Sequence, residues 1–203
     1  MIWWPLEVPT LHSGLITLRP LQDSDIDPIY EACQDLEIPR FTRVVKPYTR
    51  ELAIEFVRTS PFAFLERKAL QFAITYSGAI GSTNDTVRGG GTHENSGTSS
   101  NYFAGAISLH TINLSDHCAE LGYWMSAEFR GKGICSVAAK LLTEYALETI
   151  GFERIEALVD TENIASEKVL LSAGFQHEGR LVKKATRQDG TQKDMNIFAA
   201  TRA

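Results

Sequence analysis

The sequence predicts a mixed α/β fold, one sheet with helices packed on it, and three observations carry that reading. Leu70–Tyr76 and Tyr102–His110 are strand-like runs that bracket a polar segment as a hairpin would. Gly131 to Ile150 is an amphipathic helix. Ile134, Val137, Ala138, Leu141, Leu142, Tyr145, Ala146, Thr149 and Ile150 recur at i, i+3, i+4, while Lys140, Glu144 and Glu148 take the other face. The element order β, α, α, β, β, β, α, β, α, β, β contains no regular βαβ repeat, which argues against a doubly wound sheet.

The first element is the strand Leu15–Arg19, ended by Pro20. Asp23 or Ser24 then caps a helix reaching about Asp35, with Ile26, Ile29, Tyr30 and Cys33 at helical spacing, and Pro39 closes that region. Thr49 starts a second helix that Pro61 interrupts or restarts. After the hairpin comes the strand Cys118–Met125, then the long helix, which Gly151 ends. Glu153–Asp160 is a strand, Asn163 opens a helix through Ser172, and Gly174 ends it. Phe175–Val182 and Gln192–Thr201 are final strands joined through Asp189-Gly190, a hairpin-turn pair. Between Ser77 and Asn101, Gly, Ser, Thr and Asn supply 18 of 25 residues. Such a segment buries too little apolar surface to offset its ordering entropy, so it reads as a long flexible insertion within one domain spanning residues 1–203. A substrate-covering flap and a neutral surface loop both suit it.

Composition removes several classes. Hydrophobic residues at 43% and charged residues at 22% of 203 are globular values. No apolar run approaches the roughly 18–20 residues of a membrane span. Met1 to Thr10 carries no Lys or Arg and is broken by Pro5 and Pro9, unlike a signal peptide, so a cytoplasmic protein without membrane partners is expected. A net charge of -5 with no basic run argues against nucleic acid. Cys33, Cys118 and Cys135 form no C-x-x-C pair, and the histidines lack ligand spacing, so no disulfide framework and no metal site are expected. His110, His117 and His177 read as surface or satisfied core residues. Trp3 and Trp4 suit either a plug over the core edge or a contact in a homodimer.

The chemistry concentrates where Tyr123-Trp124-Met125 runs through a short turn into Arg130-Gly131-Lys132-Gly133-Ile134-Cys135-Ser136. A helix N-terminus offers unpaired N–H groups and a partial positive charge, glycines let an anion come close, and Arg130 and Lys132 add full charges. This pattern suits a pyrophosphate. A Walker loop is excluded because Lys132 is followed by Gly133 and Ser126 occupies the first glycine position. A dinucleotide fingerprint lacks its third glycine at Ser136. The pattern R-x-x-G-x-G/A does fit, with Arg130 first, Gly133 fourth and Cys135 in the small-residue slot.

That loop resembles the acetyl-CoA loop of GNAT N-acetyltransferases. Ala119-Glu120-Leu121-Gly122-Tyr123-Trp124 resembles the strand of the branch that acetylates ribosomal-protein N-termini, the Rim-type enzymes. Asn163-Ile164-Ala165-Ser166, Ser172-Ala173-Gly174-Phe175, Glu178-Gly179, the Asp194–Phe198 strand and the opening Leu18-Arg19-Pro20-Leu21 with Asp25 resemble further motifs of that branch, in the same order. The resemblance implies a GNAT fold: a mostly antiparallel sheet splayed at its fourth strand, helices on both faces, and acetyl-CoA as cosubstrate. It places Tyr123, Trp124, Met125, Arg130, Gly131, Lys132, Gly133, Ile134, Cys135, Ser136, Asn163 and Ser166 around the cofactor. Strand alternation sets Glu120, Gly122 and Trp124 on one face, expected to meet the acceptor. Glu120 is then the candidate base, or else a structural carboxylate. Ser166 is the candidate for assisting the departing thiolate, or a hydroxyl that only satisfies the helix start. Asn163 anchors the pantetheine amide or caps the helix. The chain departs from the family at two places. Leu170 stands where many members carry a tyrosine acid, and Leu181–Arg187 lacks the carboxylate that some Rim-type members have. Arg40 and Arg43, in the acceptor region, suit an acidic group of the substrate or simple solvation. The leading expectation is acetyl transfer to a protein N-terminal amine. A small amine or polyamine acceptor, and a non-catalytic acyl-CoA-binding module, are the alternatives.

Overall fold

A computed structural model gives the fold and describes residues 2–78, 101–187 and 190–202. Eight strands form one sheet: β1 (Leu11–Ser13), β2 (Ile16–Arg19), β3 (Leu70–Tyr76), β4 (Tyr102–Asn113), β5 (Cys118–Met125), β6 (Arg154–Asp160), β7 (Gln176–Thr186) and β8 (Gln192–Thr201). Their order is β1-β2-β3-β4-β5-β6-β8-β7, antiparallel except for β5 and β6. Those two pair only from Cys118–Glu120 against Arg154–Glu156 and then part. Beyond that point β6 continues on β8 and β5 on β4, which opens a V in the sheet. The splay falls on Cys118–Met125, the fourth strand of the sequence reading. It is the fifth here because Leu11–Ser13 pairs on Ile16–Arg19 across Gly14, a short edge strand that the sequence did not announce.

The helices are α1 (Ile26–Ala32), α2 (Glu37–Phe41), α3 (Arg50–Leu65), α4 (Ile134–Glu144) and α5 (Ile164–Ser172). Three expectations are corrected. Pro39 does not close its region but sits inside the short helix α2. Pro61 leaves α3 continuous. The two glycines precede α4 rather than begin it, and its last turns, Tyr145–Ile150, are a π-helix ended by Gly151 at φ 90°. The insertion expected at Ser77–Asn101 lies, between 79 and 100, outside the described residues, as does Asp189 of the expected turn.

Helices cover both faces of the sheet. On one, Ile134, Ala138, Leu142 and Ile150 of the long helix and Leu170 of α5 pack on Phe72, Leu109, Leu121 and Ile155. On the other, Ile26, Ile29, Ile38, Ala53 and Val57 of α1–α3 form a smaller cluster that Phe103 and Trp124 join from the strands. The N-terminal segment closes the larger core. Trp4 stacks on Phe64 with centroids 5.4 Å apart, while Trp3 donates its backbone N–H to the Ile150 carbonyl at 2.7 Å and leaves its ring exposed. Among the described residues, no helix is long and apolar enough to cross a membrane.

Candidate active site

The V between β5 and β6 has an anion-binding end. Gly131 and Gly133 take φ of 71° and 76°, a left-handed region that costs a side chain roughly 1–2 kcal/mol. A Cβ at either position would meet nothing within 4 Å, so the space over both is open. Gly133 is the N-cap of α4 and no side chain caps that helix, which leaves its first N–H groups, on Ile134, Cys135 and Ser136, for an outside acceptor. This arrangement fits a pyrophosphate. Ile134 turns its side chain into the core. Burial pushes the Cys135 thiol up to about 12, which makes it a passive small residue. Lys132 holds its ammonium 5.6 Å over the Phe129 ring, exposed and available. Arg130, expected beside the phosphates, braces the loop. Its Nε and one terminal nitrogen donate to the Met125 carbonyl at 3.0 and 2.8 Å, and the other lies 2.6 Å from Asp35. The Met125 carbonyl is thereby committed to the loop, and the Arg130–Asp35 pair ties it to the turn between α1 and α2. The backbone N–H of Glu37 and then Arg130 hold the Asp35 carboxyl below its usual range.

Farther into the V, Tyr123 reaches from β5 to α5. Its hydroxyl lies 2.7 Å from the Ser166 hydroxyl and donates to the Ser166 carbonyl at 3.2 Å. Burial keeps this phenol protonated well above its ordinary range. Asn163 caps α5, its Oδ1 accepting from the Ser166 N–H at 3.1 Å, and its side-chain N–H groups have no partner among the described residues. Leu170 is fully buried, so the seventh-step position feeds the core and offers no acid.

The opposite face of β5 carries Glu120, Gly122 and Trp124, as the alternation required. Trp124 packs against the α1–α3 cluster, its ring 5.9 Å from Phe103, on the face of β5 opposite Tyr123. Glu120 sits at the last β5–β6 pair, at the apex of the V, with its side chain 19% exposed. Sequence reasoning missed its neighbour. His110 of β4 is paired across from Glu120, its Nδ1 is 4.0 Å from Glu120 Oε2, and the Thr111 hydroxyl lies between them. Arg43 is exposed, without an ion pair among the described residues, and within electrostatic reach of His110. Arg40 is tied to Glu37, Glu162 and the Phe41 ring. His177 packs its ring at a tilt against Phe198, away from this site.

The family model for the acetyltransferase (GNAT) domain matches residues 16–176. An uncharacterized N-acetyltransferase YoaA of Bacillus subtilis is 26% identical over 94% of this chain and 96% of its own. The ribosomal-protein-serine acetyltransferase of Escherichia coli is 32% identical over 95 residues, 47% of this chain and 52% of its own. Among solved structures, a RimL ribosomal L7/L12 alpha-N-protein acetyltransferase in complex with coenzyme A superposes with a TM-score of 0.75 at 17% identity, covering 96% of this chain and 98% of that one. The splayed sheet, the uncapped glycine turn at the head of α4 and the match across residues 16–176 agree, and the chain belongs to the GNAT family of N-acetyltransferases.

Proposed function

We propose that the chain moves an acetyl group from acetyl-CoA to a primary amine by direct attack on the thioester, and that the amine is a protein N-terminus. The observation that carries this is the V itself. It has an uncapped helix start at one end and a carboxylate at its apex, with helices enclosing both faces. Bound in the V, acetyl-CoA supplies an activated acetyl carbon. The N–H groups of Ile134, Cys135 and Ser136, with Lys132, hold its pyrophosphate, and the unpaired edge of β5 beyond Glu120 and the Asn163 side chain hold its arm. Glu120 supplies the negative charge that draws a proton from the acceptor ammonium, because only the neutral amine is a nucleophile. Ser166, 2.7 Å from the Tyr123 hydroxyl, turns its hydroxyl hydrogen from Tyr123 to the thiolate as it departs.

Two points favour an α-amine. Its pKa, about 7.7–8.0, asks less of a base than the roughly 10.4 of a lysine-like alkylamine. The unpaired cation of Arg43 beside the site suits an acceptor with an acidic group and repels the second charge of a polyamine. Mass spectrometry after incubation with acetyl-CoA, peptides beginning in Ala, Ser or Thr, and spermidine tests it. Acetylated peptide N-termini are expected. Preference for spermidine would replace the acceptor, and coenzyme A affinity without transfer to any amine would make the chain a binding module.

Two substitutions probe the cofactor side. Gly133→Asp sets a carboxylate at the helix start. Asp is a good N-cap and finds open space there, so the fold should survive. The same carboxylate takes the N–H groups the phosphates need and repels them, and coenzyme A affinity by calorimetry should fall about tenfold or more, on the scale of one or more charge-assisted hydrogen bonds. Unchanged affinity would move the cofactor elsewhere. Tyr123→Phe removes one hydroxyl from Ser166. Turnover should fall about three- to tenfold, the worth of one hydrogen bond, with the KM for acetyl-CoA unchanged. In a Ser166→Ala background the same substitution should add nothing. Additive losses would mean that Tyr123 acts on its own.

A further inference from the structure

We propose that His110 is a catalytic residue: its Nε2 takes the proton of the acceptor amine, and Thr111 and Glu120 orient and stabilise the ring. The proposal rests on the acetyl-transfer reading above and assigns its base. The geometry begins with a one-residue bulge. The β4–β5 ladder pairs Asn113 with Cys118 but His110 with Glu120, so one extra residue of β4 is absorbed between them. Thr111 takes up the strain at φ 50°, a costly conformation for a β-branched residue, of order 1–3 kcal/mol. That conformation sets its hydroxyl between the two ionisable groups.

The contacts support one tautomer. The Thr111 hydroxyl has one hydrogen, and it lies 3.4 Å from Glu120 Oε2, which can only accept. With that hydrogen given to Glu120, Thr111 accepts from His110 Nδ1, 3.0 Å away, and Nδ1 carries the ring hydrogen. Nε2 is left with its lone pair. It lies over Gly122, 2.7 Å from where a Cβ would stand, beside the stretch of β5 that has just parted from β6. Gly122 is thus the clearance that admits the ring to the apex of the V. The side chain is 33% exposed, so an amine from solvent can reach it.

Three groups set its charge. Burial lowers the His110 pKa below the ordinary value and the Arg43 guanidinium lowers it too, while the Glu120 carboxylate raises it. Near neutral pH the ring is therefore a neutral acceptor. The step balances as follows. One ammonium proton passes to Nε2 and gives an imidazolium, whose Nδ1–H points through Thr111 to Glu120. The freed lone pair forms the C–N bond. The C–S bond breaks, and the sulfur leaves with its electron pair and takes the second proton lost by the nitrogen. The proton on His110 then leaves to solvent.

The test compares His110→Gln and Glu120→Gln by the pH dependence of kcat/KM for an amine substrate, alongside the NMR titration of the His110 ring. Wild type should lose activity as pH falls through the ring's protonation. His110→Gln should abolish that limb and lower the rate at least tenfold, with the KM for acetyl-CoA unchanged. Glu120→Gln should keep the limb and move it to lower pH, because the group that raised the ring's pKa is gone. Gly122→Ala, which displaces the ring without removing it, should act like His110→Gln. If His110→Gln keeps the rate within about twofold, with its acid limb intact, while Glu120→Gln abolishes it, Glu120 is the base and the proposal is overturned with acetyl transfer intact. A wild-type chain that acetylates no amine overturns acetyl transfer itself.

Discussion

Glu120→Gln should lower turnover about tenfold or more, through the His110 ring it orients and charges, and leave acetyl-CoA affinity nearly normal. The substitution keeps the shape of the side chain and the hydrogen bond it accepts from Thr111, but removes the negative charge at the apex of the V. The glycine turn lies at the other end of β5, so coenzyme A binding has no reason to change. Relative to the parent, the defect should be largest above the parent's acid limb and shrink as pH falls through it, because without the Glu120 charge the His110 ring stays neutral to lower pH. Ser166→Ala should slow turnover by the same factor across that limb, since departure of the thiolate does not depend on the ring's protonation. A Glu120→Gln variant within about twofold of the parent near neutrality would make Glu120 structural, far below the range of general-base effects.

Much of the site was legible because it is local in sequence. The glycine turn, the strand before it and the cap at Asn163 are each set by neighbouring residues, and Asn163 and Thr49 cap their helices as residue type and position require. The alternation of β5 likewise separated Glu120 from the core-facing Ala119 and Leu121. Contacts that depend on register or long side chains were not legible. A plain β4–β5 hairpin counted back from Asn113 and Cys118 sets Thr111, not His110, opposite Glu120. Only the bulge shifts the pairing by one, and no residue between Asn113 and His110 advertises it. The partners of Arg130 were hidden for a related reason. Its charge is local, but its reach brings it to Met125 and Asp35, which the spacing does not announce. Pro39 and Pro61 were read as breaks because proline removes a backbone donor. Pro39 lies near the start of α2, where that donor has no helical partner. α3 absorbs Pro61 in its last turns because Ala53, Val57 and Phe64, spread along the helix, bury it against the two cores.

The largest stability effect should come from Asp25→Ala. Asp25 is 2% exposed and accepts two hydrogen bonds from Arg19, at 2.7 and 2.6 Å, plus the Gln22 backbone N–H at 2.9 Å. The alanine variant strands a guanidinium that is itself only 20% exposed and frees a turn N–H. Breaking one side of a buried pair costs about 3–5 kcal/mol. For a chain of this size each kcal/mol lowers Tm by about 2–4 °C, so calorimetry should show a loss of roughly 6–20 °C. The mechanism predicts a specific rescue. Replacing both partners by apolar residues, as in Arg19→Met with Asp25→Leu, leaves no uncompensated charge and should recover most of the loss. The damage should also be directional. The pair pins the end of β2 to the turn that starts α1, and α1 contributes Ile26 and Ile29 to the cluster on which Trp124 packs. The α4 side rests on the other core, so at temperatures where Asp25→Ala is still folded the KM for the amine should rise before the affinity for coenzyme A falls. A destabilised variant with both constants unchanged would show that α1 does not shape the acceptor face. A Tm loss under about 2 °C would show that the pair contributes no more than a surface ion pair does.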